Sequence, residues 1–526
     1  MRHEPMQRQD ELRRVEEIVS VQAMKTPERI ALVQDGRHCT YGELQRAIAF
    51  GAKWLAQQGA RPCDRVLLVC ENSFAAVAVY FACATVGAWP VIVNARLSAR
   101  EIDDIAAHCE SRLMLFTTSG SSRAKAHAER RGATMLPDLA GVGAVAIGPL
   151  NGSVEQEAEA DNSDGQSDVA ALIYTTGTTG RPKGVMLTHT NLLFVARATA
   201  EARGLTSADR VYATLPISHA LGLTGVLLGS LLSGAEVHLT SRFDPAAVLA
   251  ELGNGGISVM IGTPSMYALL VEYAKRKQLV PIAAPSLRLM SSAGAPLDAT
   301  TKADAEAAFG QTLHNGYGIS ECGPSISLTA LDAPRGDCSV GRLLAGVEAR
   351  LVVGANDEAG TKMGELLIRS PGVMKGYYRA PEETRAAIDD TGWFRTGDLA
   401  RIDNDHLFIV GRAKEMIIRF GFNVYPAEVE AVLNAHPQVV RSVVAGHVRN
   451  GTEDILAFVQ MAGGTTTAAA DLADYSASRL APYKRPTEIV VVCEMPMNAN
   501  GKVLKAELVA KWMESNASAP PASAAA

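Results

Sequence analysis

The most informative stretch of the chain is Tyr174-Thr-Thr-Gly-Thr-Thr-Gly-Arg-Pro-Lys-Gly-Val-Met-Leu-Thr-His189. An apolar, β-branched run (Val169–Tyr174) leads into it, and an apolar segment with helical spacing (Asn191–Ala200) follows it. Glycines let backbone N–H groups approach a ligand closely and threonine hydroxyls add donors, so a loop of this composition suits a polyphosphate. It is not a Walker A loop, because Pro182 stands where that motif requires Gly-Lys.

Outward from this loop, apolar β-branched runs alternate with Ala/Leu-rich segments. This alternation predicts an α/β fold with a largely parallel sheet. The predicted strands are Arg65–Cys70, Arg112–Phe116, Val169–Tyr174, Val211–Leu215, Glu236–Leu239 and Val259–Ile261, and the predicted helices include Ser98–Cys109 and Pro245–Leu252.

Length and composition narrow the class further. A chain of 526 residues with 47% hydrophobic residues exceeds what one core organises, so at least two domains are expected. A net charge of -6 without long runs of one sign argues against a nucleic-acid-binding groove. None of the eight cysteines forms a C-x-x-C pair, which argues against zinc-ribbon and thioredoxin chemistry.

The chain is expected to be cytoplasmic, without a transmembrane segment. Its N-terminus mixes both charge signs and lacks the apolar core of a secretory signal. The uncharged stretch Phe74–Asn94 is long enough to span a bilayer, but Gly87-Ala88-Trp89-Pro90 interrupts it. We therefore predict a buried helix over 74–86, a turn, and a strand over Val91–Val93.

After Asp398 the sequence pattern changes to short β-rich segments around one predicted helix, Pro426–His436. We place a boundary near Gly411–Lys414 and predict a large domain over 1–411, a small domain over 412–515, and a disordered Ala/Ser/Pro tail over 516–526. The polar, acidic segment 149–168 is predicted to be an exposed loop.

Four later segments accompany the loop at 174–189 in a fixed order. They are Asn315-Gly-Tyr-Gly-Ile-Ser-Glu-Cys-Gly323, Trp393-Phe-Arg-Thr-Gly-Asp398, Gly411-Arg-Ala-Lys-Glu-Met-Ile-Ile-Arg-Phe-Gly-Phe-Asn-Val-Tyr-Pro-Ala-Glu-Val-Glu430 and Asn498-Ala-Asn-Gly-Lys502-Val-Leu-Lys505. Together the five resemble the signatures of the adenylate-forming superfamily, which comprises acyl-CoA synthetases, luciferases and peptide-synthetase adenylation domains. The chain is most similar to the acyl-CoA synthetases, and the match extends from about residue 15 to 510.

The resemblance implies a large domain of layered β-sheets flanked by helices, a small mobile α+β lid, and ATP, Mg²⁺ and CoA as cofactors. It implies that Lys502 is catalytic, that Glu321 holds Mg²⁺, and that Lys414 is the hinge of the lid. The implied ATP- and AMP-binding residues are Thr175, Thr176, Gly177, Thr178, Thr179, Gly180, Lys183, Gly294, Ala295, Asn315, Gly316, Tyr317, Gly318, Ser320, Asp398 and Arg412.

Several of these residues also have a plain chemical interpretation. A carboxylate at Glu321 suits a hard cation, and one at Asp398 can accept both ribose hydroxyls. Arg412 can reach the ribose or phosphate, or form an interdomain ion pair. His219 either borders the acyl pocket and takes part in catalysis or is a core histidine.

The resemblance also implies residues for the thiol step. The resemblance places Phe420 and Gly421 at a pantetheine tunnel, and Lys484 or Arg485 near the CoA phosphates. Departures from the family pattern are small: Ser320 replaces a common Thr, Asn498 another, and Phe420 a common Gly, which would narrow the tunnel.

The acid is inferred from what the pocket segments lack. No acidic residue lies between Val211 and Gly234 to pair an amino-acid ammonium, and nothing basic lies in 264–271, where malonate-activating relatives place an Arg. The expected acyl pocket consists of His219, Leu223, Met260 and Ala293, with Gly294 and Gly316 beside them. This favours a fatty or aromatic monocarboxylic acid; a dicarboxylate or other acid is the alternative.

Two rival functions stay open at this point. The first is a stand-alone ligase that loads an acyl group onto a carrier protein, and the second is a catalytically silent nucleotide-binding protein. Hydrolase chemistry has no support, because neither G-x-S-x-G nor H-E-x-x-H occurs.

Overall fold

A computed structural model describes residues 12–136, 138–153, 168–176, 182–353, 363–420, 422–449, 452–462, 469–497 and 503–517. The helices are α1 Glu17–Lys25, α2 Tyr41–Gln57, α3 Phe74–Val86, α4 Ala99–His108, α5 Ser122–Arg130, α6 His189–Ala202, α7 Gly229–Leu232, α8 Pro245–Gly253, α9 Pro264–Arg276, α10 Ala299–Phe309, α11 Pro381–Ala387, α12 Pro426–Asn434, α13 Ala469–Ala477 and α14 Lys505–Ala517. A π-helix spans Leu221–Leu228, and short 3₁₀ turns span Ser320–Cys322, Ala413–Glu415 and Pro482–Lys484.

The strands follow in chain order. They are β1 Ile30–Gln34, β2 Arg37–Thr40, β3 Arg65–Cys70, β4 Trp89–Asn94, β5 Leu113–Thr117, β6 Thr134–Leu136, β7 Val145–Ile147, β8 Val169–Thr176, β9 Pro182–Thr188, β10 Arg210–Ala213, β11 Glu236–Leu239, β12 Val259–Gly262, β13 Leu289–Ser292, β14 Leu313–Tyr317, β15 Ser327–Leu328, β16 Arg342–Leu343, β17 Glu348–Val352, β18 Met363–Arg369, β19 Gly376–Tyr377, β20 Phe394–Asp403, β21 His406–Arg412, β22 Ile417–Arg419, β23 Phe422–Val424, β24 Val439–Arg449, β25 Thr452–Met461 and β26 Glu488–Val492.

The large part of the chain contains three sheets. One has the order β16-β15-β14-β13-β12-β10-β11-β1-β2, and a second has the order β19-β9-β8-β4-β3-β5-β7-β6. Both are parallel at their centres, at β14-β13-β12-β10-β11-β1 and at β8-β4-β3-β5, and antiparallel at their edges. The third sheet, β17-β18-β20-β21, is antiparallel throughout. The predicted α/β class with layered sheets is confirmed.

The uncharged stretch after Phe74 is a core helix and not a membrane span. Ser73 caps α3 by accepting a hydrogen bond from Ala76, and Gly87 ends the helix in the left-handed region with φ +79°. Both α3 and the following β4 are buried along nearly their whole length. Within the described residues, no helix combines the length and the hydropathy that crossing a bilayer requires. The cytoplasmic location stays a prediction.

The last part of the chain has a hydrophobic core of its own. A cluster around Ile417, Val424, Leu433 and Ile455 contains only residues from β22 onward, and α12 and α13 pack on the β24-β25-β26 sheet and on one another. Arg412 is the last residue of β21 in the third sheet, and the division at 411/412 stays a prediction. The expected tail needs one correction: α14 continues to Ala517, so residues 516 and 517 are helical, and 518–526 lie outside the described residues. Most of the predicted loop at 149–168 also lies outside them.

Candidate active site

A cavity of about 890 Å³ opens where the parallel strands end. Residues at or just after the strand ends line it: Asn94 at the end of β4, Thr175 near the end of β8, Thr263 after β12 and Gly294 after β13. In parallel sheets the carboxyl ends of the strands are the usual place for a ligand. Lys414, the predicted hinge, and residues of the last segment also line the cavity, so both parts of the chain enclose it.

One end of the cavity contains a lysine, a tyrosine and a glutamate in contact. Thr175 pairs with Lys183 across β8 and β9, and both line the cavity. The Lys183 Nζ lies 4.9 Å from the centre of the Tyr377 ring, and the Tyr377 hydroxyl donates to Glu321 Oε1 at 3.0 Å. Burial, and then the Glu321 carboxylate, raise the pKa of Tyr377. The residues 177–181 and the side chain of Thr176 lie outside what the structure describes.

Glu321 is suited to hold a cation that the ligand helps to coordinate. It belongs to the 3₁₀ turn at Ser320–Cys322, and its carbonyl accepts from the Met374 amide at 2.8 Å, which fixes the turn. The described residues include no group of three or more His, Cys, Asp or Glu arranged around a common point. A single carboxylate fits Mg²⁺, which binds through one or two carboxylates together with substrate phosphates and water.

Tyr317, Asp398 and Arg412 form a second polar group. The buried Asp398 carboxylate accepts a hydrogen bond from the Tyr317 hydroxyl and lies 3.1 Å from the Arg412 Nε. Asp398 and Arg412 face each other in the register of β20 and β21, so the ion pair of Arg412 is formed within one sheet. Burial, and then Asp398, raise the pKa of Tyr317 far above its usual range. Burial disfavours the charge on Arg412, but Asp398 and then Glu415 raise its pKa overall.

The structure brings many of the predicted nucleotide residues to the cavity but not all of them. The lining includes Thr175, Lys183, Gly294, Gly316, Tyr317, Gly318, Ser320, Glu321 and Arg412. Within the described part of the chain, Ala295, Asn315 and Asp398 are not lining residues. The Asn315 amide donates to the carbonyls of Cys338 and Ser339 at 3.2 and 3.3 Å, so its visible role is to hold that loop. Asp398 lies behind the cavity wall, in contact with two residues that line the cavity, Tyr317 and Arg412.

The expected acyl pocket needs correction. His219 and Ala293 line the cavity, whereas Leu223 and Met260 are not among its lining residues. Leu223 points into the main core from the π-helix. Met260 lies in a separate cluster with Tyr212 and Tyr267, because side chains alternate along β12 and Met260 is on the face away from the cavity.

The apolar lining expected from the sequence is also incomplete, because Arg203 lines the cavity and is only 2% exposed. Arg203 follows α6 and precedes Gly204, where an arginine usually caps a helix at the surface. The local sequence therefore gave no signal for burial, and sequence reasoning missed this residue.

Two of the residues expected to serve the thiol step, Phe420 and Lys484, are not among the described lining residues of the cavity. Phe420 is 68% exposed, and Lys484 pairs with Glu428. Gly421 and Lys502 lie outside the described residues. Met497 and Leu504, which flank the segment with Lys502, both line the cavity.

Comparisons with known proteins agree with this arrangement. Residues 19–378 match the family model of the AMP-binding enzymes, and residues 428–502 match that of the AMP-binding enzyme C-terminal domain. The chain is 34% identical to a feruloyl-CoA synthase from an Amycolatopsis species, over 92% of this chain and 96% of the relative. It is 31% identical to a mitochondrial malonate–CoA ligase of Mus musculus, over 96% of this chain and 92% of the relative.

The same likeness extends to three dimensions. The crystal structure of ATP-bound MatB from Rhodopseudomonas palustris superposes with a TM-score of 0.81 at 29% identity, covering 95% of this chain and 99% of that one. The chain belongs to the AMP-binding enzyme family. It is an AMP-forming acid–CoA ligase, with ATP and CoA as substrates and the Mg²⁺ that is typical of the family.

Proposed function

We propose that the chain couples a carboxylic acid to CoA in two steps within the cavity described above. A carboxylate does not react with a thiol at neutral pH, because oxide is a very poor leaving group. In the first step the acid oxygen attacks the α-phosphate of ATP, an acyl-AMP forms, and pyrophosphate leaves. In the second step the CoA thiol attacks the acyl carbon and AMP leaves. The observation that carries the proposal is that a single cavity is lined by three groups of residues. These are Lys183 with Glu321, Tyr317 with Arg412, and Met497 with Leu504 on either side of the segment that contains Lys502.

In the first step the residues position the reactants and neutralise charge. Lys183 and the loop 175–183 bind the β- and γ-phosphates, and Glu321 would hold the Mg²⁺, which would neutralise part of the phosphate charge. Asp398 accepts the ribose hydroxyls beside Arg412. Lys502 bridges the acid oxygen and the α-phosphate; the position of Met497 and Leu504 at the cavity supports this role.

In the second step the small domain rotates about Lys414, removes Lys502 and brings the 420–422 turn to the thiol path. Ile418, Phe420 and Phe422 are all at least half exposed, although apolar side chains of this size usually find cover. An exposed apolar hairpin is expected of a surface that packs only in the second domain arrangement. Lys484 would have to leave Glu428 to meet a CoA phosphate.

An α-amino acid is disfavoured as the substrate, because the segment from Val211 to Gly234 contains no acidic residue that could pair with its ammonium group. The relatives act on ferulate and on malonate, so similarity alone does not choose between aromatic acids and dicarboxylates. The buried Arg203 favours the dicarboxylate alternative over the fatty or aromatic monocarboxylic acid.

A panel of acids tests the proposed function. Fatty, aromatic, dicarboxylic and α-amino acids are each supplied with ATP and Mg²⁺, and AMP, pyrophosphate and thioester are measured with CoA, with a holo-carrier protein, and with neither. We expect acid-dependent release of AMP and pyrophosphate, with turnover only when CoA is present. Preference for the carrier would favour the rival ligase, and ATP binding without any acid-dependent release would favour a silent nucleotide-binding protein.

A further inference from the structure

Arg203 is a buried cation on the acid side of the cavity. It is 2% exposed and lines the cavity together with His219 and Ala293. Its Nη1 donates to the carbonyl of Gly225 in the π-helix, and its Nε has no hydrogen-bond partner in the part of the chain that the structure describes. Burial lowers the pKa of Arg203 to about 10, so the guanidinium is still charged at neutral pH.

Leu221 lies between Arg203 and the end of the cavity near Gly294. A Cβ on Gly294, one of the predicted nucleotide-binding residues, would lie 3.9 Å from Leu221 Cδ2. A Cβ on Gly225 would lie 3.0 Å from Leu221 Cδ1 and 3.5 Å from Arg203 Nη1. Leu221 therefore stands between the end of the acid pocket near Gly294 and the end that contains Arg203.

A purely structural role leaves this cation poorly satisfied. A buried charge needs a partner or several hydrogen bonds, and one carbonyl supplies only part of that. No ion pair joins Arg203 to a carboxylate among the described residues, whereas the nearby Arg288 pairs with Asp209 at 2.7 Å. A guanidinium presents two parallel N–H groups that match a carboxylate in a bidentate pair. Ser327 is buried and lines the same cavity, and its Oγ, which has no hydrogen-bond partner among the described residues, offers a further donor.

We propose that Arg203 determines the acid specificity by pairing with a second carboxylate, at the end of the substrate remote from the carboxylate that attacks ATP. The preferred substrates are then dicarboxylic acids whose two acid groups are separated by a spacer that passes Leu221. This inference rests on the proposed function, since it assumes that the acid is activated in this cavity.

Matched pairs of acids test the proposal on the unaltered protein. Each pair consists of a dicarboxylic acid and its own monomethyl ester, which keeps the reacting carboxylate and the length but removes the remote charge; glutarate, adipate, isophthalate and terephthalate cover aliphatic and aromatic spacers. We expect kcat/KM for pyrophosphate release to be at least tenfold higher for the best dicarboxylate than for its ester. Equal or better use of the ester in every pair would overturn the proposal.

Variants then assign the preference to the residue. Arg203→Met should lower the dicarboxylate-to-ester ratio at least tenfold, and Arg203→Lys should keep part of it through a point charge. Arg210→Met is the matched control, because Arg210 also has a buried Nε without a partner but is not one of the described lining residues; its ratio should match the parent. An unchanged ratio in an active Arg203→Met protein would overturn the proposal, and if that variant does not fold, the paired acids decide alone. Failure of every acid to release pyrophosphate would instead refute the proposed function.

Discussion

Replacing Asp398 by asparagine should weaken both the fold and the binding of ATP, by amounts that the site geometry sets. Asparagine keeps the shape and one acceptor oxygen but loses the charge. The hydrogen bond from Tyr317 and the 3.1 Å pair with Arg412 then lose their ionic share. A bond to a charged group contributes about 1 kcal/mol more than a neutral one. Because the Arg412 side chain is nearly half exposed, solvent can replace part of the lost interaction. We therefore expect the free energy of unfolding to fall by about 1–2 kcal/mol.

Asp398→Asn should also weaken the binding of ATP through the ribose. If two ribose hydroxyls each lose about 1 kcal/mol, Kd for ATP rises roughly thirtyfold. At an ATP concentration of about 100 times the parental Kd, stabilisation by the ligand should fall from about 2.7 to about 0.9 kcal/mol.

Denaturant unfolding with and without ATP measures both quantities, and isothermal titration gives Kd directly. Asp403→Asn is the control, because Asp403 is on the same strand, is 52% exposed and lies 3.6 Å from Arg401. An ATP affinity of Asp398→Asn within threefold of the parent would refute the assignment of Asp398 to the ribose.

Three further predictions follow from single contacts. Glu321→Gln should lower the rate of pyrophosphate release by roughly 10²–10³-fold and raise the Mg²⁺ concentration needed for half-maximal rate. The rate is titrated against Mg²⁺ for the parent, for Glu321→Gln and, as a comparison, for Tyr377→Phe. A Mg²⁺ dependence of Glu321→Gln equal to that of the parent would contradict the role of Glu321. Gly318→Ala should lower the unfolding midpoint by several degrees or abolish folding, because its Cβ would lie 1.5 Å from the carbonyl oxygen of Pro324; Gly336→Ala, with nothing within 4 Å, should not. Burial, and then Arg14, lower the pKa of His189 to about 3, against about 6.5 when unfolded, so its contribution to stability is complete above pH 6.5 and is lost as the pH falls toward 3. In His189→Asn the side chain can still accept the hydrogen bond from the Val15 amide, but it cannot titrate, so the free energy of unfolding should depend less on pH. The carboxylate of Glu16, 3.9 Å from His189, can offset part of the effect in the parent. Equal slopes of unfolding free energy against pH in the parent and in His189→Asn would contradict this prediction.

The extent of the sequence prediction differs between elements for physical reasons. The strand Arg65–Cys70, the helix 74–86 and the strand Glu236–Leu239 occur at their predicted bounds, because continuous apolar runs and clear turn residues mark them. The antiparallel edges of the two large sheets escaped prediction, since pairing direction depends on connections far along the chain.

The acid pocket could be predicted least well. Met260 lies on a strand that is buried on both faces, and its composition does not reveal which face borders the cavity. The π-helix at Leu221–Leu228 shifts the register of its side chains away from the helical period, so Leu223 turns into the core. The π-helix packs on α6, and its Gly225 carbonyl accepts a hydrogen bond from Arg203; this tertiary contact has no local sequence signal.

Measuring the adenylation and thioester-forming half-reactions of Lys502→Ala separately tests the central claim most directly. Lys502 acts, in our account, only while the acid attacks the α-phosphate, so loss of its charge should slow acyl-AMP formation at least 10²-fold. Supplied with preformed acyl-AMP and CoA, the same protein should make thioester at close to the parental rate. Lys414→Pro, which stiffens the proposed hinge, should show the reverse, and Lys511→Ala, a change at an exposed lysine of α14, should affect neither step. Equal loss of both half-reactions in Lys502→Ala would contradict a catalytic lysine that serves adenylation alone.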